Sequence, residues 1–200
     1  IPAPIVRNEA FIVPTDVCYA SLGFDRRLLD EATPYSAAWQ VGVRALTYDY
    51  LWNEVRVRGG AYGVGFQAQR TGALRFYSYR DPHLDETLAR FAAAPAWLRA
   101  FDPASEELDG YVVSTVAGFD SPQKARALIN RQDSAYFAGR TPEDRLAARA
   151  RMVAADVGAL AELADVIEAA VSHDARCVFG NRAIIEGAKA GFEVIDLLNA

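Results

Sequence analysis

Hydrophobic side chains recur every three or four residues between positions 38 and 55, which is the spacing of one face of an α-helix. The positions are Ala38, Val41, Ala45, Tyr48, Trp52 and Val55. Polar and charged residues occupy the positions between them. The pattern therefore predicts a long amphipathic helix that ends near Val57.

The period changes to two immediately after this helix. Residues 61–69 and 73–80 read as two β-strands, joined by a short turn at Arg70-Thr71-Gly72. Alternate side chains of a strand point to opposite faces of a sheet. In the second strand one face carries Leu74, Phe76 and Ser78, and the other carries Arg75, Tyr77 and Tyr79. Because both faces carry large side chains, we predict that this hairpin lies inside a larger sheet.

Prolines mark the predicted starts of five helices. Five of the nine prolines follow a Ser, Thr or Asp. An oxygen-bearing side chain followed by proline satisfies free amides and fixes the backbone angle at the first turn of a helix. The pairs are Thr33-Pro34, Asp81-Pro82, Asp102-Pro103, Ser121-Pro122 and Thr141-Pro142.

These signals, taken together, predict an α+β fold in one domain over residues 1–200. Beyond the long helix and the hairpin, we predict helices at 82–100, 103–118, 122–138, 142–154, 156–171 and 181–188. Further strands are predicted at 10–13, 17–23, 175–179 and 192–198. Strands, a helix, a hairpin and a block of helices in this order are typical of a mainly antiparallel sheet with helices packed on one face.

Composition excludes several classes of function. A net charge of −5 argues against a general nucleic-acid binder. No apolar run reaches the roughly 18 residues of a membrane-spanning helix, so we expect no membrane partner. Cys18 and Cys177 are too far apart for a disulfide framework and are predicted to be small buried residues. An arginine-rich chain without a disulfide pattern suggests the cytoplasm of a bacterium. The chain opens on Ile1, and we expect it to be a piece of a longer protein.

Familiar catalytic motifs are missing from the sequence. Its two histidines, His83 and His173, lie 90 residues apart, and neither H-E-x-x-H nor H-x-x-E-H occurs. We expect both histidines to lie at helix ends and predict no metal site. G-x-S-x-G, the commonest signal of a serine hydrolase, is also absent.

The stretch after the long helix, Arg-Val-Arg-Gly-Gly-Ala-Tyr, resembles a phosphate loop only superficially. Nucleotide loops run from a strand into a helix, whereas this one runs from a helix into a strand. Basic Arg56 and Arg58 suit the negative end of a helix dipole, and glycine permits a left-handed turn. A helix end thus explains the stretch locally, but it does not explain why Tyr62 follows.

Two segments, LWNEVRVRGGAYGVGF at 51–66 and GALRFYSYRDPHLDETL at 72–88, together resemble the last domain of pitrilysin/insulinase-family zinc metallopeptidases. The similarity is to the presequence-protease branch, in which a helix ends in an E-I-R-x-K-G-G-A-Y-G-like stretch and a strand carries Y-S-Y-R-D-P. The matching positions here are Glu54, Val55, Arg56, Arg58 to Gly63, and Tyr77 to Pro82.

The resemblance implies an enzyme of four similar α+β domains that close around a peptide, with this chain as the last domain. It also implies that zinc is held by an H-x-x-E-H motif in the first domain. The last domain contributes an arginine and a tyrosine to the peptide substrate, and these correspond to Arg56 and Tyr62. Gly59 and Gly60 between them would let the backbone approach the peptide closely.

Several alternatives remain open at this stage. The role of Arg58 is undecided between substrate contact and helix-end charge, and Tyr77, Tyr79 and Arg80 are expected to serve the sheet and its turn. The chain could instead be a catalytically silent scaffold domain of the same fold, or a free-standing peptide-binding module. An upstream H-x-x-E-H motif would separate the peptidase from the scaffold domain, and the free-standing module would require a start codon immediately before Ile1. The peptidase interpretation expects N-terminal catalytic domains in the same chain and zinc only there.

Overall fold

The computed structural model describes residues 6–29, 33–102 and 107–199. Its strands form one six-stranded sheet in the order β3-β4-β2-β5-β1-β6. The strands are β1 (Asn8–Ile12), β2 (Tyr19–Asp25), β3 (Gly63–Ala68), β4 (Ala73–Tyr79), β5 (Arg176–Gly180) and β6 (Glu193–Asp196).

Helices make up most of the rest of the described chain. They are α1 (Trp39–Ala45), α2 (Leu84–Arg99), α3 (Glu107–Phe119), α4 (Ala125–Phe137), α5 (Pro142–Val153), α6 (Val157–Val171) and α7 (Arg182–Glu186). A π-helical stretch, Leu46–Val57, continues α1 without a break and is called the π segment below. A single 3₁₀ turn, Arg26–Leu28, follows β2. No helix in the described part of the chain is both long enough and apolar enough to cross a membrane.

Three of the five strand pairings are antiparallel. β4 pairs with β3 and β2, and β2 pairs with β5, all antiparallel. β1 is parallel to both β5 and β6, a pairing that requires crossover connections such as those through the helices between these strands. The predicted α+β fold with a mainly antiparallel sheet is confirmed, and the two parallel pairings make the sheet mixed.

One face of the sheet carries the core. Its side chains alternate with those of the other face along each strand, as in Leu74, Phe76 and Ser78 of β4, which are all buried. The larger core cluster joins this face to α1, α2, α6 and the π segment, and a smaller one joins β1 and β5 to α7. The helices therefore pack on one face, and the other face, with Arg75 and Tyr79, stays open.

The hairpin prediction was right about the two strands and wrong about the position of one of them. β4 is an interior strand, but β3 lies at the edge of the sheet. The long helix covers this edge: Gln40 Nε2 donates to the Ala68 carbonyl at 2.8 Å, and the Phe66 amide donates to Thr47 Oγ1 at 3.4 Å. Side chains thus satisfy edge groups that would otherwise invite another strand.

Helix starts agree with the proline signals to different degrees. Thr141 caps α5 with a reciprocal bond to Asp144, and Pro142 is its first residue, as predicted. The starts of α2 and α4 lie two and three residues after the predicted prolines, at Leu84 and Ala125. The Thr33-Pro34 prediction was wrong, because the helix begins only at Trp39. Pro103 lies outside the described residues.

The two cysteines lie in different environments. Cys18 is fully buried, as predicted, and burial together with the nearby Asp81 carboxylate raises the pKa of its thiol to about 12. Cys177 is only half-buried on the open face of the sheet, so the prediction of a buried side chain was wrong there. Both thiols are free.

Candidate functional site

The π segment changes which side chains face the core. Leu46, Leu51 and Val55 are fully buried, at spacings of five and four residues. The Arg58 amide donates to the Asn53 carbonyl at 3.0 Å, an i to i−5 bond. A π turn holds more residues than an α turn, so the α-helical stripe is lost after Ala45. The predicted core positions Tyr48 and Trp52 are consequently 54% and 36% exposed.

The π segment is anchored to α2. The Tyr50 hydroxyl donates to the Arg90 carbonyl at 3.0 Å, and the Tyr50 ring stacks on Trp97 at a centroid distance of 5.6 Å. Burial is the main cause that raises the pKa of Tyr50, so the phenol stays a donor at neutral pH. This contact holds the part of the π segment that precedes Arg56 against α2.

The glycine pair makes the turn that leaves the helix. The Gly60 amide donates to the Arg56 carbonyl and the Ala61 amide to the Val55 carbonyl, at 3.0 and 3.1 Å. Gly60 has a φ of +79°, which disfavours any side chain, and a Cβ on Gly59 would collide with the Val55 carbonyl oxygen. Both glycines are therefore required by the turn itself.

Tyr62 is fixed by its backbone and leaves its side chain exposed. Its amide donates to the Tyr79 carbonyl at 3.1 Å, and the Arg80 carbonyl lies 3.3 Å away. The Tyr62 side chain is 67% exposed, and its ring contacts the Tyr79 ring edge-on at 5.8 Å between centroids. The Tyr62 side chain thus extends into solvent from a backbone that is hydrogen-bonded to β4.

Arg56 lies beside Tyr62 and on top of Trp52. Its guanidinium is 3.8 Å from the Trp52 ring centroid and 5.8 Å from that of Tyr62. These three residues are called the Arg56 cluster below. Within the described ranges no carboxylate forms an ion pair with Arg56, so the cation–π contacts orient a guanidinium whose donors remain available. Trp52 was missed as a site residue because its spacing had placed it on the buried stripe.

Arg58 has a different environment. It forms an ion pair with Glu54 one turn earlier, and its side chain is 70% exposed. Glu54 also lies 4.0 Å from Arg90 of α2. Arg58 thus has a local partner at the helix end, as the helix-end interpretation expects.

The residues at the end of β4 hold the backbone to which Tyr62 is hydrogen-bonded. Arg80 has a φ of +51° and is the extra residue of a bulge, since Cys18 bridges to Asp81. Asp81 is fully buried, and its Oδ1 accepts from the His83 amide at 2.9 Å, at the start of α2. The Tyr-Arg-Asp-Pro stretch therefore positions the strand end to which the Tyr62 amide is bound, as expected for sheet and turn residues.

Metal-binding side chains do not gather at this site or elsewhere in the described ranges. No group of three or more His, Cys, Asp or Glu residues there is arranged to hold a metal ion. His83 precedes α2, and His173 follows α6, where its ring stacks on Phe24 at 3.9 Å. The chemistry that the site itself offers is hydrogen-bond donation from a guanidinium and a phenol.

Comparison with known families shows to which family the domain belongs. Residues 8–180 match the model of the PreP C-terminal domain. The chain belongs to the PreP C-terminal domain family. It is a C-terminal domain of a pitrilysin-family, presequence-protease-like protein, and the resemblance inferred from residues 51–88 is confirmed.

Two curated relatives of this presequence-protease-like domain are much longer than it is. Protein HypA of Clostridium perfringens is 32% identical over 189 residues, which cover 94% of this chain and 19% of the relative. The mitochondrial presequence protease of Mus musculus is 34% identical over 119 residues, covering 60% of this chain and 11% of the relative. The chain thus spans about a fifth or less of the length of these relatives.

Solved structures agree on the fold of the presequence-protease-like domain. A peptidase M16 inactive domain from Pseudomonas fluorescens superposes with a TM-score of 0.61 at 14% identity, over 90% of this chain and 44% of the other. Pitrilysin superposes with a TM-score of 0.56 at 16% identity, over 96% of this chain and 22% of the other. At these identities the likeness concerns the fold alone.

Proposed function

We propose that this domain is the last of four similar domains of a zinc endopeptidase and that Arg56 and Tyr62 bind its peptide substrate. The observation that carries the proposal is their juxtaposition: the Arg56 guanidinium carbon lies 5.8 Å from the centroid of the Tyr62 ring, and the Tyr62 side chain is exposed. The family supports the peptidase assignment because relatives are named presequence proteases.

The chemistry needs donors of this kind. In zinc-promoted hydrolysis, zinc polarises the peptide carbonyl, and here it would be held by the N-terminal catalytic domains of the same chain. Arg56 and Tyr62 would donate hydrogen bonds to the developing oxyanion or to a neighbouring peptide carbonyl. Gly59 and Gly60 would leave room for the peptide backbone at the turn. The peptide would lie in a chamber closed by both halves of the enzyme.

Kinetics of the full-length enzyme test the role of Arg56. Arg56→Gln should lower kcat/KM on the order of 10²-fold, because one charge-assisted donor is lost. Arg58→Gln is the matched control, since Arg58 is two residues away and already paired with Glu54. An unchanged kcat/KM for Arg56→Gln would contradict the assignment.

The upstream sequence separates the peptidase from a silent scaffold domain. An H-x-x-E-H motif in the same reading frame is expected, and its absence would favour the scaffold. We also propose a cytoplasmic location in a bacterium. The relatives include one from a bacterium and several named as mitochondrial proteins, so cell fractionation is the direct test.

A further inference from the structure

The open face of the sheet carries a continuous row of aromatic side chains that ends at the Arg56 cluster. The row crosses four strands and finishes at the residue before β3. Its members, in spatial order, are Phe11 on β1, Phe179 on β5, Tyr19 on β2, Tyr79 on β4, and Tyr62. It is called the aromatic row below.

Three ring contacts and one strand pairing connect the neighbours along the row. Phe11 stacks on Phe179 with centroids 4.8 Å apart, and Phe179 is the strand partner of Tyr19. Tyr19 meets Tyr79 edge-on at 5.3 Å, and Tyr79 meets Tyr62 in the same way at 5.8 Å. Such ring pairs hold one another in place, so the row is an ordered surface.

The aromatic row is accessible on the face opposite the helices. Phe179, Tyr79 and Tyr62 are 38%, 45% and 67% exposed, and the other two rings are half-buried. Glycines on β3 help to keep the surface flat at the Tyr62 end. A Cβ on Gly65 would lie 2.6 Å from the Tyr77 hydroxyl, so only glycine lets that ring lie across the strand.

The aromatic row is narrow over β1, β5 and β2. The next line of residues on the same face runs through Glu193, Glu9, Cys177 and Ser21, which are paired across the strands, and reaches a further ring only at Tyr77 of β4. Two carboxylates, a thiol and a hydroxyl thus border the row before it widens at Tyr77. A surface that is one side chain wide over most of its length suits a single extended chain, whereas a docked domain would bury a broader apolar centre.

We infer that the aromatic row binds apolar side chains of the same peptide that Arg56 and Tyr62 hold, on one side of the bond to be cleaved. This inference rests on the proposed function, because Tyr62 belongs to both surfaces. Three strand spacings plus the Tyr79–Tyr62 contact give a row of roughly 20 Å, which an extended peptide spans with about six residues. Alternate side chains face the same way, so about three of them reach the row.

The inference defines a substrate class. Preferred peptides carry large apolar side chains at alternate positions within about six residues of the cleaved bond. Peptides with serine at those positions keep the contacts of Arg56 and Tyr62 and lose those of the row. The preference is therefore a property of Phe179 and its neighbours and not of the Arg56 cluster.

The test compares two sets of peptides in the full-length enzyme. In one set, phenylalanine occupies three alternate positions on the amino side or the carboxyl side of a fixed cleavage site, and in the other set serine replaces it. Wild type should cleave one phenylalanine peptide roughly 10-fold more efficiently than its serine partner. Phe179→Ser should bring that ratio close to one, and Phe179→Tyr should retain it.

Controls keep the result interpretable. Tyr136→Ser removes an aromatic ring that is 80% exposed on α4, and it should leave the ratio as in wild type. Circular dichroism checks the fold, and Phe11→Ala provides a second variant at the other end of the row if Phe179→Ser does not fold. A ratio that stays at the wild-type value in the folded row variants overturns the inference.

A different result would contradict the proposed function. Arg56→Gln should slow cleavage of both peptides in a pair by the same factor, and a wild-type rate there contradicts the proposed function whatever Phe179→Ser does. If Phe179→Ser lowers the melting temperature of the full-length enzyme and leaves the peptide ratio unchanged, another domain covers the row and the inference is wrong.

Discussion

At the scale of the residue, the candidate site depends on two glycines whose replacement is unfavourable for different reasons. Gly60 adopts a left-handed φ of +79°, and Gly59 has no room for a Cβ against the preceding turn. Sequence alone indicated the helix end from Arg-Gly-Gly, whereas Arg56 and Tyr62 were predicted as site residues only through the resemblance to the pitrilysin family. It could not show that Trp52 lies under Arg56, because that contact exists only after the helix changes its winding.

Replacing Gly60 should destabilise the fold measurably. Gly60→Ala places a Cβ in a left-handed conformation and should lower the free energy of unfolding by about 1–2 kcal/mol. Gly110→Ala in α3 is the control: nothing lies within 4 Å of its added Cβ, and alanine favours helix by up to about 1 kcal/mol. Urea unfolding gives both values, and equal losses would contradict the account of the turn.

The cysteines should differ in reactivity. Cys18 has a thiol pKa raised from 9.0 to about 12, and the thiolate is the reactive form, so folded Cys18 should resist iodoacetamide at pH 8. The half-buried Cys177 should react first, although burial also raises the pKa of its thiol. Mass spectrometry of the modified chain shows the order. Faster labelling of Cys18 than of Cys177 in the folded chain would be inconsistent with this structure.

The free energy of unfolding should also depend on pH through Cys18. Because deprotonation favours the unfolded state, the stability linked to Cys18 is present below pH 9 and lost as the pH rises towards 12.

At the scale of the element, almost every predicted helix and strand exists, and the errors have identifiable causes. The hairpin at 63–79 matched because alternation and a glycine turn are local signals. The edge position of β3 did not follow from the sequence, because the strand order and the contacts of Gln40 and Thr47 with this edge exist only in the folded chain. The π segment had no signal at all, since hydrophobic spacings of five and four overlap with the α-helical pattern. Long-range packing decides both cases.

The π segment makes a specific prediction about stability. Leu51→Ala should cost about 2–5 kcal/mol because the side chain is fully buried, whereas Tyr48→Ala should cost at most about 1 kcal/mol. The α-helical pattern predicts the opposite order, with Tyr48 in the core. Urea unfolding of the two variants distinguishes the windings, and a larger loss for Tyr48→Ala would favour a regular α-helix.

At the scale of the whole molecule, the chain spans about a fifth or less of the length of the two curated relatives. The sequence resemblance identified the family and the fold, and the family model over residues 8–180 confirms both. Under the proposed function, zinc is held outside this chain, and the described residues bring no group of three or more metal-binding side chains together. The open face with its aromatic row was not foreseen, since it depends on the strand order, which places Phe11, Phe179 and Tyr19 side by side.

Metal removal should not affect the isolated chain. The described residues contain no cluster that could hold a metal ion, so EDTA should leave its melting temperature unchanged. The isolated chain should also fail to cleave peptides, whereas the full-length enzyme should lose activity with EDTA. Chelator-sensitive cleavage by the 200-residue chain alone would contradict the division of labour.

The most direct test of the central claim concerns the Tyr62 hydroxyl. In the full-length enzyme, Tyr62→Phe removes one donor and keeps the ring against Tyr79 and Arg56. Loss of this donor should lower kcat/KM on the order of 10²-fold, with Tyr136→Phe on α4 as the unaffected control. A kcat/KM for Tyr62→Phe equal to that of wild type would show that the hydroxyl does not touch the substrate.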